Sequence, residues 1–504
     1  WAAEQGIEQI IAGMIGYIEA DFRRWPCFDK TPRVASHSDI GVIELMPISD
    51  DTAYSFKYVN GHPQNTMTTS DLPGSPFLSQ RQGHLWLEGL RLSDLAAQHG
   101  TPLFVYSKAA MLGALAPYQR AFAGRDAQVH YAMKANSSLG VLQVFAQAGC
   151  GFDIVSGGEL FRVLKAGARA DRCTFAGVGK TREEIAYALR EGVYSFNVES
   201  EGELERINEV AGSLGVKAPI AIRVNPNVDA KTHKFISTGK SKNKFGIGLD
   251  RAPEVYKVAA SLPHLKIRGI QTHIGSQILE AAPFAEAAQK LADLVKQIHA
   301  EHGLEFFDCG GGIGIVYDEA LKSGSPDWWL AQKPGTRITP EDYAAAIIPI
   351  LKPLGLRILF EPGRFLVGNA EALLSTVQYV KETPAKTFTI VDAAMNDLIR
   401  PALYEGWHEI VPLTESAASI KPMDVVGPVC ESGDFFAQDR ELPPLHPGDR
   451  LAILSSGAYG FVMSSNYNSR PLLPEVLVDG TEIHLARSRQ TYDDLVRGEA
   501  LLPA

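Results

Sequence analysis

Between about Val129 and Phe360 the chain alternates short runs of β-branched and aromatic residues with longer segments whose apolar positions recur at helical spacing. Eight such runs can be read: Val129–Met133, Phe152–Val155, Cys173–Ala176, Ser195–Val198, Ile220–Val224, Gly269–His273, Glu305–Cys309 and Arg357–Phe360. Amphipathic stretches such as SGGELFRVLKAG and FAEAAQKLADLVKQIHAEHG lie between them. Repeated βα units wind a parallel sheet, and eight of them close a (β/α)8 barrel of the TIM type, placed at 107–376. After about Val377 the texture changes to strands broken by Pro and Gly, as in FTIVDAAM, PMDVVGPVC and DRLAILSSGAYGF. That pattern predicts an antiparallel β-sandwich or β-barrel domain over 377–504. The stretch 79–106, with LWLEGLRLSDLAAQHGTPLFVYS running just past it, has strand character at each end and is read as linker and strands that join the β domain. The chain would then leave the β domain, build the barrel and return. Residues 1–78 form a third, small α+β unit, with a helical IEQIIAGMIGYIEADFRRW followed by strand-like GVIELMPI and YSFKYVNGHP. The overall class is α/β.

At 504 residues the chain exceeds one ordinary core, in keeping with several units. Its 45% hydrophobic and 21% charged residues are those of an average globular protein. A net charge of −10 argues against capture of nucleic acid or of an anionic membrane surface, which need a basic face. The most apolar stretch, Ala344 to Phe360, is broken by Pro349, Lys352, Pro353 and Arg357, so no membrane span is expected. Five dispersed cysteines, Cys27, Cys150, Cys173, Cys309 and Cys430, form no CxxC pair. They suggest neither a disulfide framework nor a zinc site, and a reducing, cytoplasmic setting is the simpler expectation. The chain opens on Trp1 without a signal-peptide layout and is read as starting partway into a longer one.

In such barrels reactive groups stand at the C-terminal ends of strands. Lys134 follows the first run, Asp153 lies in the second, and His273 ends the sixth, with Ser276 close behind. Gly310, Gly311 and Gly312 follow the seventh, and Glu361 and Arg364 follow the eighth. A lysine alone is more often a solvated charge, but at a strand end the barrel walls and nearby cations are expected to depress its pKa and make it a Schiff-base nucleophile. DCGGGIGI lets backbone approach a phosphate or is simply a tight βα turn; it is not a dinucleotide fingerprint, because position 315 is Ile. Glu361 can hold a pyridine nitrogen protonated, which makes the ring an electron sink, and Arg364 can bind a carboxylate or phosphate. FAGVGKT lacks the first glycine of a nucleotide-binding loop, and no paired histidines or carboxylate cluster point to a metal.

Together YAMKAN, FDIVSGGEL, HIGSQ, DCGGGIG, EPGR, GPVCESGD and SGAYG stand in the order found in diaminopimelate decarboxylases, which the chain resembles over about residues 85–500. The resemblance implies a cofactor, pyridoxal 5′-phosphate, carried covalently on Lys134. His273 would stack on its ring, Gly310, Gly311, Gly312 and Ser276 would hold its phosphate, and Glu361 would meet its pyridine nitrogen. Asp153, Pro362, Gly363, Arg364 and Tyr459 also fall in cofactor-binding motifs. Substrate contacts carry over to Arg364, Arg400, Tyr404, Glu431 and Tyr459. The same resemblance implies a homodimer in which Cys430 and Glu431 reach into the partner's site, with Cys430 the leading proton donor and Lys134 its competitor.

Related ornithine and arginine decarboxylases typically place Asp after the cysteine, whereas Glu431 with Arg364 and Arg400 suits a distal carbon bearing both an ammonium and a carboxylate. The expected reaction is therefore meso-2,6-diaminopimelate to L-lysine and CO2. The alternatives are a decarboxylase of the same fold acting on lysine, ornithine or a D-amino acid, or a non-catalytic regulator, although Lys134 and Cys430 are both present. The N-terminal run RVASHSDIGVIELMPISDDTAYSFKYVNGHPQNT resembles the start of bacterial ornithine cyclodeaminases, in which the residues matching Arg33 and Lys57 serve the substrate site. No NAD-binding glycine motif follows it, so this unit is expected to be a remnant or accessory piece, inactive as a cyclodeaminase.

Overall fold

A computed structural model describes residues 77–229, 244–332 and 337–503, together with four strands within 29–61. The chain divides into two units, residues 1–68 and 69–504. In the first, Gly41–Asp50 pairs antiparallel with Val34–Ser38, with Ala53–Gly61 and with the short Asp29–Lys30. The helix expected before them lies outside the described residues, as does Arg33 and the side chain of Lys57.

In the second unit eight strands close a barrel: β1 (Ala127–Ala132), β2 (Gly151–Ile154), β3 (Cys173–Phe175), β4 (Ser195–Val198), β5 (Ala218–Asn225), β6 (Leu265–Gln271), β7 (Phe306–Asp308) and β8 (Arg357–Phe360). Every strand is parallel to its neighbours in sequence order, and β8 closes on β1 through Ile358 opposite Ala127 and Phe360 opposite Val129. The strands read as apolar runs because barrel interior and helices cover both faces: β2, β3 and β4 are buried at every residue. Between them run amphipathic helices that bury one face, such as Gly157–Lys165 with Leu160 and Val163 inside. Two of these helices start on reciprocal caps, Thr181 with Glu184 and Thr339 with Asp342, which satisfy amides that a helix start leaves open.

The chain enters the barrel through Leu103–Ser107, fully buried, which pairs antiparallel with Glu371–Glu382, the first strand after the barrel. On its other side it pairs in parallel with Glu475–Asp479. The sheet is thus mixed and not antiparallel throughout, and Thr387–Val391 is likewise parallel to Lys421–Val426. The reason lies in connectivity: parallel neighbours need a long crossover, and here the barrel itself lies between the two strands. This arrangement presses the β domain against the barrel mouth, where Tyr459 N donates to Ala135 O at 2.8 Å, one residue past Lys134. Among the described residues no helix is long and apolar enough to cross a membrane.

Candidate active site

The polar side chains of the barrel sit where its strands end. β1 gives way at Met133–Ala135 to a tight turn that carries Lys134, whose Nζ meets Asp153 Oδ2 at 2.9 Å. Asp153 is fully buried, while 39% of the Lys134 side chain faces open space at the mouth. The expected depression of the lysine pKa is not found. Burial does push it down, but the charges of Asp153, Tyr459 and Glu361 outweigh burial and raise it above the ordinary lysine value.

Behind Lys134 lies a nest of buried acids. Glu361, just beyond β8, accepts from Asn197 Nδ2 at 3.2 Å and Thr174 Oγ1 at 3.4 Å on one oxygen and from Gln271 Nε2 at 3.0 Å on the other. Burial, then the charges of Asp153 and Asp308, push its carboxyl well above the usual range. Burial likewise raises Asp308 to about 6, although Glu361 and the amide of Gly310 pull the other way. Burial and mutual repulsion thus both favour the protonated form of this carboxyl pair relative to free carboxylates. Four buried acceptor atoms of this nest, Asp153 Oδ1, Asn197 Oδ1, Gln271 Oε1 and Asp308 Oδ2, have no donor among the described residues. Orphaned acceptors of this kind are costly unless a ligand uses them.

The glycine turn after β7 is held from both sides by backbone. An added Cβ would fall 2.4 Å from Thr272 O at Gly310, 2.1 Å from Glu361 O at Gly311 and 2.5 Å from Gly275 O at Gly312. Two of its amides are already engaged: Gly310 N donates to Asp308 Oδ1 at 2.9 Å, and Gly311 N to His273 Nδ1 at 3.2 Å. The turn thus orients Asp308 and His273 as well as offering a close approach, which narrows its expected role as a bare phosphate cradle. Burial, then Arg223 and Lys134, hold His273 neutral by lowering it well below its ordinary value. Gly311→Ala is expected to cost about 1–3 kcal/mol by forcing this turn apart and to lower bound cofactor, read as a drop in melting temperature and in pyridoxal absorbance.

A cavity of about 420 Å³ opens over these groups, lined among others by Lys134, His273, Arg364, Arg400, Tyr404 and Tyr459. Ser276 Oγ accepts from Arg364 Nε and Nη2 at 3.2 and 3.1 Å, and the Arg364 guanidinium lies 4.8 Å from the Tyr459 ring centre. Arg364 is not paired with Glu361. Pro362 and Gly363 belong to the wall: Pro362 O accepts from Ala132 N at 3.1 Å, and a Cβ on Gly363 would meet Ala132 O at 2.9 Å. Cys430 and Glu431 do not line this cavity. They stand exposed on a loop of the β domain, where Glu431 Oε2 accepts from Tyr467 at 2.9 Å.

Sequence reasoning missed Thr174, Asn197 and Gln271, which hold Glu361. Their signal was available in part: Thr174 and Asn197 stand between apolar neighbours in short barrel strands, whereas Gln271 ends a strand that also carries Lys266 and Arg268, and a buried polar residue must have a partner. It also missed Glu199, Arg223 and Tyr317, which line the cavity. Glu199 and Arg223 pair at 3.1 Å, both nearly buried, and nothing in the local sequence pattern marks them.

A parallel barrel with a lysine at the end of its first strand, a glycine turn and a buried acid opposite defines a pyridoxal-dependent enzyme class. The family described as "Pyridoxal-dependent decarboxylase, pyridoxal binding domain" matches residues 110–368. The diaminopimelate decarboxylase of Vibrio cholerae serotype O1 is 48% identical, over 85% of this chain and 99% of its own length. That of Pseudomonas aeruginosa is 49% identical, over 84% and 99%. A crystal structure of diaminopimelate decarboxylase from Helicobacter pylori complexed with L-lysine superposes with a TM-score of 0.75 at 44% identity, covering 81% of this chain and 98% of that one. This chain belongs to the diaminopimelate decarboxylase family, and its cofactor is pyridoxal phosphate. Residues 2–75 match a different family, "Ornithine cyclodeaminase/mu-crystallin".

Proposed function

We propose that this chain decarboxylates meso-2,6-diaminopimelate to L-lysine and CO2, the last step of lysine biosynthesis, in the cytoplasm. One observation carries the substrate reading: Arg364 and Arg400, both buried, face the cavity that holds Lys134, and neither is ion-paired with a carboxylate among the described residues. Two buried guanidiniums without an acid demand an anionic ligand, and a diamino diacid supplies a carboxylate at the end remote from the reaction. Lysine-type substrates with a bare distal ammonium would meet repulsion there. The free cysteines Cys150, Cys173, Cys309 and Cys430 suit a reducing compartment.

Bound pyridoxal supplies an electron sink for the pair of electrons that CO2 leaves behind. The chain's own groups do the rest. Lys134 anchors the cofactor, and Asp153 at 2.9 Å is the base in reach of its ammonium proton. Glu361, whose carboxyl is pushed well above the usual range by burial and then by Asp153 and Asp308, would pair with the pyridine nitrogen of the bound cofactor. Neutral His273, steered by the Gly311 amide, offers a flat face to the ring. Ser276 and the Gly310–Gly312 turn serve the phosphate. Tyr459, packed on Arg364, borders both ligands, and Tyr404 lines the substrate side.

The remaining step returns a proton to the α-carbon. Cys430 is assigned as donor and Glu431 as the partner of the distal ammonium, both acting in the site of a second copy; their exposure, away from the cavity of their own chain, supports this homodimer. Mixing Lys134→Ala with Cys430→Ala, each inactive alone, is expected to restore about a quarter of wild-type activity, since half the exchanged dimers are mixed and each carries one intact site of two. Absence of any recovery would place both groups in one chain's site. The substrate reading is tested by CO2 release from meso-diaminopimelate against lysine, ornithine and arginine; faster turnover of any of those three overturns it. For the N-terminal unit we propose an accessory role without cyclodeaminase activity, which NAD-dependent conversion of ornithine to proline would disprove.

A further inference from the structure

Two guanidiniums facing one cavity repel each other, so a receptor built from them needs anchors that hold both without cancelling their charge. Tyr317, in the loop after β7, touches both. Its hydroxyl accepts from Arg364 Nη1 at 2.6 Å, and its ring lies 4.5 Å from the Arg400 guanidinium. Behind Arg400 stands His408, fully buried, with Nε2 2.6 Å from Arg400 Nη1 and Nδ1 2.8 Å from Leu454 O. A carbonyl oxygen only accepts, so Nδ1 carries the proton and Nε2 is the acceptor for the arginine. His408 is accordingly neutral. Burial and then the charge of Arg400 keep it so. On the far side Arg364 is held by the Ser276 hydroxyl.

Among the described residues, the anchors of the pair are thus hydroxyls, a neutral imidazole and aromatic faces, with no carboxylate. A carboxylate in the place of Tyr317 would orient the arginines equally well but would neutralise the site it helped to build. A phenol and an imidazole orient them and leave the positive charge for a ligand. We propose that Tyr317 and His408 are positioning residues that join Arg364 and Arg400 into one receptor for the distal carboxylate of the substrate. This rests on the reading of the two arginines as substrate-binding.

The test uses the pyridoxal-loaded enzyme and L-lysine, which keeps one ammonium-carboxylate end of diaminopimelate. Loss of one hydrogen bond to a charged group weakens binding by roughly tenfold or more. Tyr317→Phe and His408→Leu are each expected to weaken L-lysine binding in calorimetric titration by that factor and to raise KM for meso-diaminopimelate similarly. Cofactor absorbance is expected to stay at the wild-type level and kcat within about threefold of it. His408→Gln, which keeps an acceptor, should recover most of the loss. Unchanged L-lysine affinity in both variants overturns the proposal. So does a parallel fall of kcat and cofactor content, or collapse of both variants, because those outcomes mark general structural support. Arg400→Met separates the two levels: if it leaves L-lysine binding intact, the arginine reading itself fails, whereas a loss there without one in the Tyr317 and His408 variants sinks only the positioning role.

Discussion

Lys134→Ala is expected to abolish the visible absorbance of lysine-bound pyridoxal and to lower kcat on the order of 10³-fold or more, since no other lysine lines the cavity among the described residues. Charge is a confounder, because the substitution also strips Asp153 of its partner and leaves a buried carboxyl with neither oxygen satisfied. A folded protein is expected all the same, with cooperative melting. Lys134→Arg separates the two effects. It keeps a cation opposite Asp153 but cannot give up its proton to become a nucleophile. Both variants should be equally inactive; if Lys134→Arg retained activity within about tenfold of wild type, the covalent role of Lys134 would be wrong.

Glu361→Gln ranks second. The substitution is nearly isosteric, and the polar shell can absorb it: Gln271, whose Oε1 lacks a donor, can turn its amide to accept from the new one. What disappears is the acid whose carboxyl is pushed well above the usual range by burial and acidic neighbours. Removing one such electrostatic group typically costs about 10²–10³-fold in kcat. The cofactor should stay bound through Lys134, so absorbance remains while turnover of meso-diaminopimelate falls. Wild-type kcat in this variant would show that Glu361 only fills space.

The barrel was legible because strands covered on both faces must be apolar, and each of the eight runs falls on a barrel strand. The errors lie at their ends. β6 starts at Leu265, four residues before the apolar run begins at Gly269, because Lys266 and Arg268 lie at the open base and pair with Glu305 at 2.8 and 2.6 Å. Met133, read as strand, belongs instead to the turn that presents Lys134. The β domain was recognised by its turns, but the direction of each strand depends on partners far away in the chain, so its mixed pairing was not visible.

Much of the candidate site followed the same division. Lys134, His273, the glycine turn, Glu361 and Arg364 could be named because barrel geometry places strand ends together whatever lies between them. The sequence by itself determined the barrel, the identity of those groups and the family to which they belong, since each depends on local pattern or on motif order. Only the tertiary structure decided how their proton affinities shift: burial lowers that of Lys134 but the charges of Asp153, Tyr459 and Glu361 outweigh it, while burial, then Asp153 and Asp308, raises that of Glu361. It also decided that Tyr317 and His408, 91 residues apart in sequence by their numbering, meet two arginines from elsewhere at hydrogen-bonding distance or over a ring face. Such contacts follow from how the β domain packs against the barrel mouth, and no periodicity along the chain encodes them.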